Sequence, residues 1–378
     1  MATMTHRERV MRALDHQESD RIPLDLGATR STSLVVEAYD NLNRHLGIQA
    51  PTRIFSKWLQ IAHPNEEILA RFDIDTRSVS QGAPDHWQDV VFPDGSYQDE
   101  WGTVRSKPAG SLYYDLTKAP FQGEPTLADL KQFPWPDPHD PGRTRGLAEE
   151  ARRLHQDTDY AVVLNMPGGI VHQSQFMRGF ESWFMDLILN PSFFRALLEK
   201  IADLWIEMAK DEFDQVGGNI DLCFYGDDMA FQNGPMMSMD LYRKMIKPYH
   251  QRLFSYIKSR TSAKILYHTC GSVIHLIPDL IEIGVDALNP VQVSAKGMDT
   301  KKLKQEFGRD ISFWGAIDTQ RVLPFGTNEE VAAEVRRRID DLGPGGGYVL
   351  CAVHNIQPDV SPENICTMYD TAREYSRG

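Results

Sequence analysis

Residues 263–292 read AKILYHTCGSVIHLIPDLIEIGVDALNPVQ, an apolar run, an amphipathic stretch and a second apolar run in succession. Ile265–His268 is short and rich in strand-forming residues, Ile274–Ile283 spaces its apolar residues by three and four, and Ala287–Val291 is apolar again. Strand, crossover helix and strand in that order form the unit of a parallel sheet. Outward from this unit the same alternation recurs over the whole chain. It gives eight candidate strands: Ile22–Leu26, Ile74–Val79, Ala161–Leu164, Leu222–Tyr225, Ile265–His268, Ala287–Val291, Ser312–Ile317 and Tyr348–Val353. Between them, Pro191–Asp214, Met239–Ser259 and Glu329–Leu342 carry the helical spacing suited to the outside of a barrel. The expected fold is α/β, a (β/α)8 TIM barrel with a β-containing insertion after the second strand. Barrels with insertions reach 378 residues as one domain, so residues 1–378 are expected to form a single unit.

The insertion is expected at about 81–140. This stretch is rich in Pro, Gly, Trp and Tyr and contains the hairpin-like FPDGSYQDEWGTV, which suits a small β-element covering the barrel mouth. Gly343-Pro344-Gly345-Gly346-Gly347 breaks a helix ahead of the last strand. It lacks the Gly-Lys-Ser/Thr ending of a phosphate loop and opens a strand instead of a helix.

A net charge of −13 argues against nucleic acid as a partner, because phosphate backbones are gripped by clustered Lys and Arg. No apolar run approaches the roughly 18 residues that cross a bilayer, and the opening MATMTHRERVMRAL is too charged for a signal peptide. A cytoplasmic protein acting on small molecules is expected. Four scattered cysteines, Cys223, Cys270, Cys351 and Cys366, do not make a disulfide framework and are expected reduced. A homodimer is compatible with a barrel, but no stretch signals its interface.

Chemistry concentrates at the strand ends, where barrel enzymes carry their catalytic groups. In Tyr267-His268-Thr269-Cys270-Gly271, residues two apart share a face, so His268 and Cys270 can both face the lumen. Imidazole and thiolate suit zinc, and a catalytic zinc takes about three protein ligands and leaves one position open. Cys351 or His354, at the end of the last strand, can supply the third. Set against this, a buried histidine bonded to backbone and a cysteine packed as a small hydrophobe account for H-x-C equally well.

The fourth candidate strand ends in Tyr225-Gly226-Asp227-Asp228, two carboxylates at the mouth of an apolar barrel. Asp227 is read as general base or further ligand, and Asp228 as a cap near the substrate. Tyr225, Asn289, Gln292 and Asp318 follow the same pattern of polar groups after apolar strands and are expected to touch substrate or support the site. Arg30, in Ala28-Thr29-Arg30-Ser31, is a candidate anion binder, against the plainer reading of a solvated surface arginine.

With these residues placed, the chain resembles the uroporphyrinogen decarboxylase superfamily, in particular its decarboxylase-like and corrinoid-linked methyltransferase branch. The resemblance runs through RERVMRALDHQESDRIPLDLG (7–27), GDDMAFQNGPMMS (226–238), YHTCGSVIHLIPDLIEIGVDALNPVQVSAKGMD (267–299), FWGAIDTQRVLPFGT (313–327) and GGGYVLCAVHNIQPDVSPENI (345–365). It implies a (β/α)8 barrel and, as in the methyltransferase members, zinc held by His268 and Cys270 of the H-x-C pair. Matching the Pro-Glu-Asn-Ile helix start places His354 where those members have their third ligand, a cysteine, with Cys351 as the alternative. The arginine-rich R-Q-A-G-R loop of true uroporphyrinogen decarboxylases is absent, which tells against porphyrinogen as substrate.

The resemblance therefore implies a zinc-dependent methyltransferase. It would move a methyl group between a small O-, N- or S-methylated compound and a corrinoid (cobalamin) protein, thiol or folate-type acceptor. Two other readings fit the residues: a metal-free decarboxylase or lyase of a small acid using Asp227, His268 and Arg30, and a non-catalytic corrinoid- or ligand-binding protein.

Overall fold

The computed structural model describes residues 4–375. Seven parallel strands form the central sheet: β1 (Thr76–Ser80), β2 (Ala161–Asn165), β3 (Leu222–Gly226), β4 (Lys264–His268), β5 (Ala287–Asn289), β6 (Ser312–Ile317) and β7 (Tyr348–Ala352), paired in sequence order. The eighth position is filled by Pro23–Asp25. Leu24 bridges Leu350 of β7 in parallel, the Asp25 amide donates to Leu350 (3.0 Å) and the Leu350 amide to Pro23 (2.9 Å). On the other side the Asp75 amide donates to the Leu24 carbonyl at 2.9 Å, which brings the two edges of the sheet together in a barrel. The expected strand Ile22–Leu26 is thus reduced to a single bridge. Pro23 has no N–H to give, and the Leu24 amide is diverted to the Asp75 carboxylate at 2.7 Å.

Period-two alternation decides which side chains enter the lumen. Ala161, Val163, Leu222, Phe224, Leu266, Ala287, Trp314, Val349 and Cys351 pack together inside, while Val162, Leu164, Cys223, Tyr225, Ile265, Tyr267, Leu288 and Phe313 stand in the phase that packs on the helices. Val10 and Leu14 of α1 (His6–Leu14) join the inner set and plug the N-terminal end. Continuing the inner phase toward the strand ends brings up Asn165, Gly226, His268 and Asn289. His268 is level with Gly226 on one side and Asn289 on the other.

After β1 comes a four-stranded antiparallel meander, Val90–Val91, Tyr97–Gln98, Val104–Ser106 and Asp115–Lys118. Aromatic contacts tie this segment to the barrel's helical layer: Trp101 lies 4.9 Å from Trp205, and Phe121 5.8 Å from Phe193. The β2 strand leads into α2 (Ile170–Arg178), α3 (Phe180–Leu189) and the long α4 (Pro191–Val216); α5 (Lys247–Arg260) follows β3. Among the described residues no helix is long and apolar enough to cross a membrane.

Candidate metal centre and cavity

At the C-terminal ends of the strands lies a cavity of about 410 Å³. His268 and His354 are at its inner wall, with Asp228, Gly226 and Phe224; α2 contributes His172 and Phe176; the meander contributes Tyr97, Asp99 and Arg105. The ligand atoms of His268, Cys270 and His354 all lie within 4.8 Å of one another. Cys270 Sγ is 3.5 Å from His268 Nε2. Two ligands of a tetrahedral zinc, one nitrogen and one sulfur, stand roughly 3.3–3.8 Å apart, so this pair fits such an ion.

The neighbours fix His268 and Cys270. Asn289 Nδ2 donates to the Trp314 carbonyl at 3.3 Å, so its Oδ1, 2.6 Å from His268 Nδ1, is the acceptor end. The imidazole proton therefore sits on Nδ1 and the Nε2 lone pair points to Cys270, the arrangement in which an outer residue sets a histidine ligand's tautomer. Burial, reinforced by the charge of His172, lowers the His268 pKa against the opposing pull of Asp228 and Asn289. Burial and the nearby His268 bring His354 down to about 4. Both rings are neutral near pH 7, as ligands must be. Burial, with Asp228 beside it, pushes the Cys270 thiol well up, so a cation must bind before the thiolate forms. The Cys270 amide donates to Asp228 Oδ1 and the Gly271 amide to Gln292 Oε1, each at 2.7 Å. Gly271 has φ 95°, and a Cβ there would stand 2.7 Å from the Phe231 carbonyl oxygen, so this close turn requires glycine.

The two aspartates exchange the places expected of them. Asp227 was the candidate base, but in β3 the inward phase is Leu222, Phe224 and Gly226, which sends Asp227 to the helical side. There it is fully buried and saturated. Its carboxylate accepts from the Val171 (3.0 Å) and His172 (2.8 Å) amides and the Tyr225 hydroxyl (2.5 Å), and it meets His250 Nε2 at 3.0 Å. Burial opposes its charge, but His250 holds its pKa below the ordinary value. It acts as the N-terminal cap of α2; a Cβ on Gly169 would come 1.9 Å from its Oδ1. Asp228, the next residue in the inward phase, faces the cavity. Burial raises its pKa, but His172, His268 and the Cys270 amide together hold it well below the usual carboxylate range.

Tyr225 is buried with Asp227 and does not reach the cavity. Asn289 and Gln292 support His268 and the Cys270 loop instead of lining the cavity. Asp318 caps the turn after β6 through the Gln320 amide at 2.8 Å, away from the cavity. Cys351 is fully buried in the inner cluster, its thiol donating to the Ala352 carbonyl at 3.2 Å, so it stands outside the trio. Arg30 does line the cavity, its guanidinium donating to the Met166 and Pro167 carbonyls at 2.6 and 3.0 Å.

Sequence reasoning missed His172, Lys57 and Arg105. His172 Nε2 lies 3.5 Å from Asp228 Oδ2 and accepts from the Asp228 amide at 3.2 Å when neutral, so the ring has a partner in either protonation state. Burial opposes its charge, but the hydrogen bond and charge of Asp228, backed by Asp227, raise its pKa. Its one sequence signal was a polar residue in the first turn of the helix after β2.

Residues 111–375 match the family model described as uroporphyrinogen decarboxylase (URO-D). A uroporphyrinogen decarboxylase of Azoarcus sp. (strain BH72) is 29% identical over 153 residues, 39% of this chain and 41% of that protein. One from Methylococcus capsulatus (strain ATCC 33009 / NCIMB 11132 / Bath) is 24% identical over 197 residues, 50% of each. The matched stretches thus span half or less of those two proteins' lengths. A methyltransferase from Methanosarcina mazei superposes with a TM-score of 0.65 at 19% identity, covering 98% of this chain and 99% of that one, a likeness of fold.

Proposed function

This chain belongs to the uroporphyrinogen decarboxylase (URO-D) family, and on that premise we propose that it is a zinc-dependent methyltransferase acting between a small methylated compound and a corrinoid protein, thiol or folate-type acceptor. The observation that carries the reading is the convergence of His268, Cys270 and His354 on one point at the inner wall of the cavity. The whole-length fold likeness to a methyltransferase supports it.

In this reading His268, Cys270 and His354 would hold the ion beside the cavity in which substrate would bind. Bound zinc supplies Lewis-acid polarisation of a substrate oxygen or sulfur. Asn289 keeps the His268 proton on Nδ1. Asp228, anchored by the Cys270 amide, stays ionised, orients the reacting group and favours a proton on His172. We read residues 1–378 as one barrel domain and the insertion at about 81–140 as the cover that limits water at the mouth; its Tyr97 and Arg105 lining the same cavity supports this.

The test is methyl transfer from methylcobalamin to a small thiol, followed by loss of the cobalt–methyl absorbance. The parent is expected to turn over, and His268→Ala and Cys270→Ser to fall to background while their circular dichroism stays native. Full turnover in either folded variant would remove the metal mechanism.

A further inference from the structure

The cavity sorts its charges unevenly. Lys57 Nζ lies 3.7 Å from the centre of the Tyr97 ring and is paired with Asp89 at 2.5 Å. The Arg105 guanidinium lies 4.4 Å from the Phe176 centre and 5.0 Å from that of Trp58, with Asp99 at 3.7 Å. The protein's own cations thus already lie over the aromatic rings of the cavity's outer part, and each has its acid. An aromatic cage for a quaternary ammonium needs open ring faces, and here Lys57 stands over Tyr97 while Arg105 stands over Phe176 and Trp58. Asp228, the acid nearest the trio, is engaged by the Cys270 amide and His172.

Arg30 is different. It lines the same cavity and is oriented by two carbonyls, but among the described residues it forms no ion pair. The acid that acts on it through space is Glu212, fully buried, with neither carboxyl oxygen hydrogen-bonded among the described residues. Burial, against the pull of Arg30, pushes Glu212 up to about 8, so near pH 7 it is largely uncharged and leaves the guanidinium uncompensated. A guanidinium with donors left over beside a cavity asks for a carboxylate, which it can take in two parallel hydrogen bonds.

Resting on the reading of this cavity as a methyl-transfer site, we propose that its small substrate is an O- or S-methylated carboxylic acid whose carboxylate is held by Arg30, and that methylammonium compounds are excluded. Attraction comes from Arg30, without an ion pair among the described residues, and rejection from Lys57 and Arg105, which already lie over the Tyr97 and Phe176 rings where a methylammonium group would stack.

Isothermal titration calorimetry of the full chain with methoxyacetate and with tetramethylammonium, with zinc measured in the same samples, tests this. Methoxyacetate is expected to bind the parent and tetramethylammonium to give no heat; Arg30→Gln should weaken the acid about tenfold or more, the loss of a charge-assisted pair, at unchanged zinc content. Tetramethylammonium binding to the parent, no methoxyacetate binding to it, or equal acid affinity in a folded Arg30→Gln protein would overturn the inference. The parent's choice between acid and cation decides even if that variant does not fold. Acid binding by a zinc-free parent would sink the methyl-transfer reading and leave the anion site standing; a zinc-loaded parent indifferent to the acid would do the reverse.

Discussion

The two ends of the barrel use the same kinds of side chain to opposite purposes. At the N-terminal end, fully buried Asp75 accepts from Arg9 (2.6 Å), from Arg21 through two nitrogens (2.6 and 3.0 Å) and from the Leu24 amide (2.7 Å), and meets His6 Nδ1 at 2.7 Å. At the C-terminal end, His268, His354 and Arg30 line one cavity, Cys270 Sγ stands beside His268 Nε2, and none of these side chains forms an ion pair with an acid closer than 3.9 Å among the described residues. Saturated polar groups in a closed end lock the chain's first segment to β1 and stabilise the fold. Polar groups held in place but left without partners are what a ligand binds, which is why barrel chemistry gathers at the strands' C-terminal ends.

That contrast is broken most readily at Asp75. Asp75→Ala leaves two buried guanidiniums uncompensated and should cost about 3–5 kcal/mol in urea denaturation; a loss no larger than that of a surface aspartate would show that the N-terminal clasp is dispensable. Burial opposes the Asp75 charge, but His6, Arg21 and Arg9 depress its pKa below the ordinary value. Its contribution is therefore present above the unfolded carboxylate pKa of about 3.9 and is lost as pH falls below that toward the folded value. Acid unfolding of the parent should steepen in that window, and the variant's stability should be flatter there.

A smaller effect is expected at Asp227, which lies near the site but is saturated like the closed end. Asp227→Asn has one acceptor oxygen for partners that now share two, and should cost about 1–3 kcal/mol by thermal melting. Asn289→Ala should leave global stability closer to the parent's and weaken metal retention about 10–100-fold, measured by competition with a chelator, because it frees the His268 tautomer. Smallest of all, His354→Ala in metal-free protein should change stability by less than about 1.5 kcal/mol, since the ring has few committed partners to lose. A large loss there would mean that the C-terminal end is built for stability too.

The same contrast explains what could be read in the sequence. Buried parallel strands are continuous apolar runs, so β1 to β7 were legible to within two residues at each end. The first strand was over-read because Pro23 and the side chain of Asp75 take over its hydrogen bonds, and a carboxylate fifty residues away gives no local signal. The exchange of Asp227 and Asp228 was legible in principle. Stepping by two from Phe224 through Gly226 reaches Asp228, but apolar residues in both phases of a buried strand hide the inward one. His172 and Arg105 reach the cavity only because α2 and the meander fold over it, and nothing in the residues near either position announces that.

The central claim, a single zinc held by one thiolate and two imidazoles, is tested most directly by elemental analysis joined to zinc K-edge X-ray absorption on protein purified without chelator or added metal. One zinc per chain, with one sulfur and two imidazole nitrogens in its shell and lost in His268→Ala, is the predicted result. A metal-free, folded parent, or a shell containing two sulfurs, which would put Cys351 in place of His354, would contradict it.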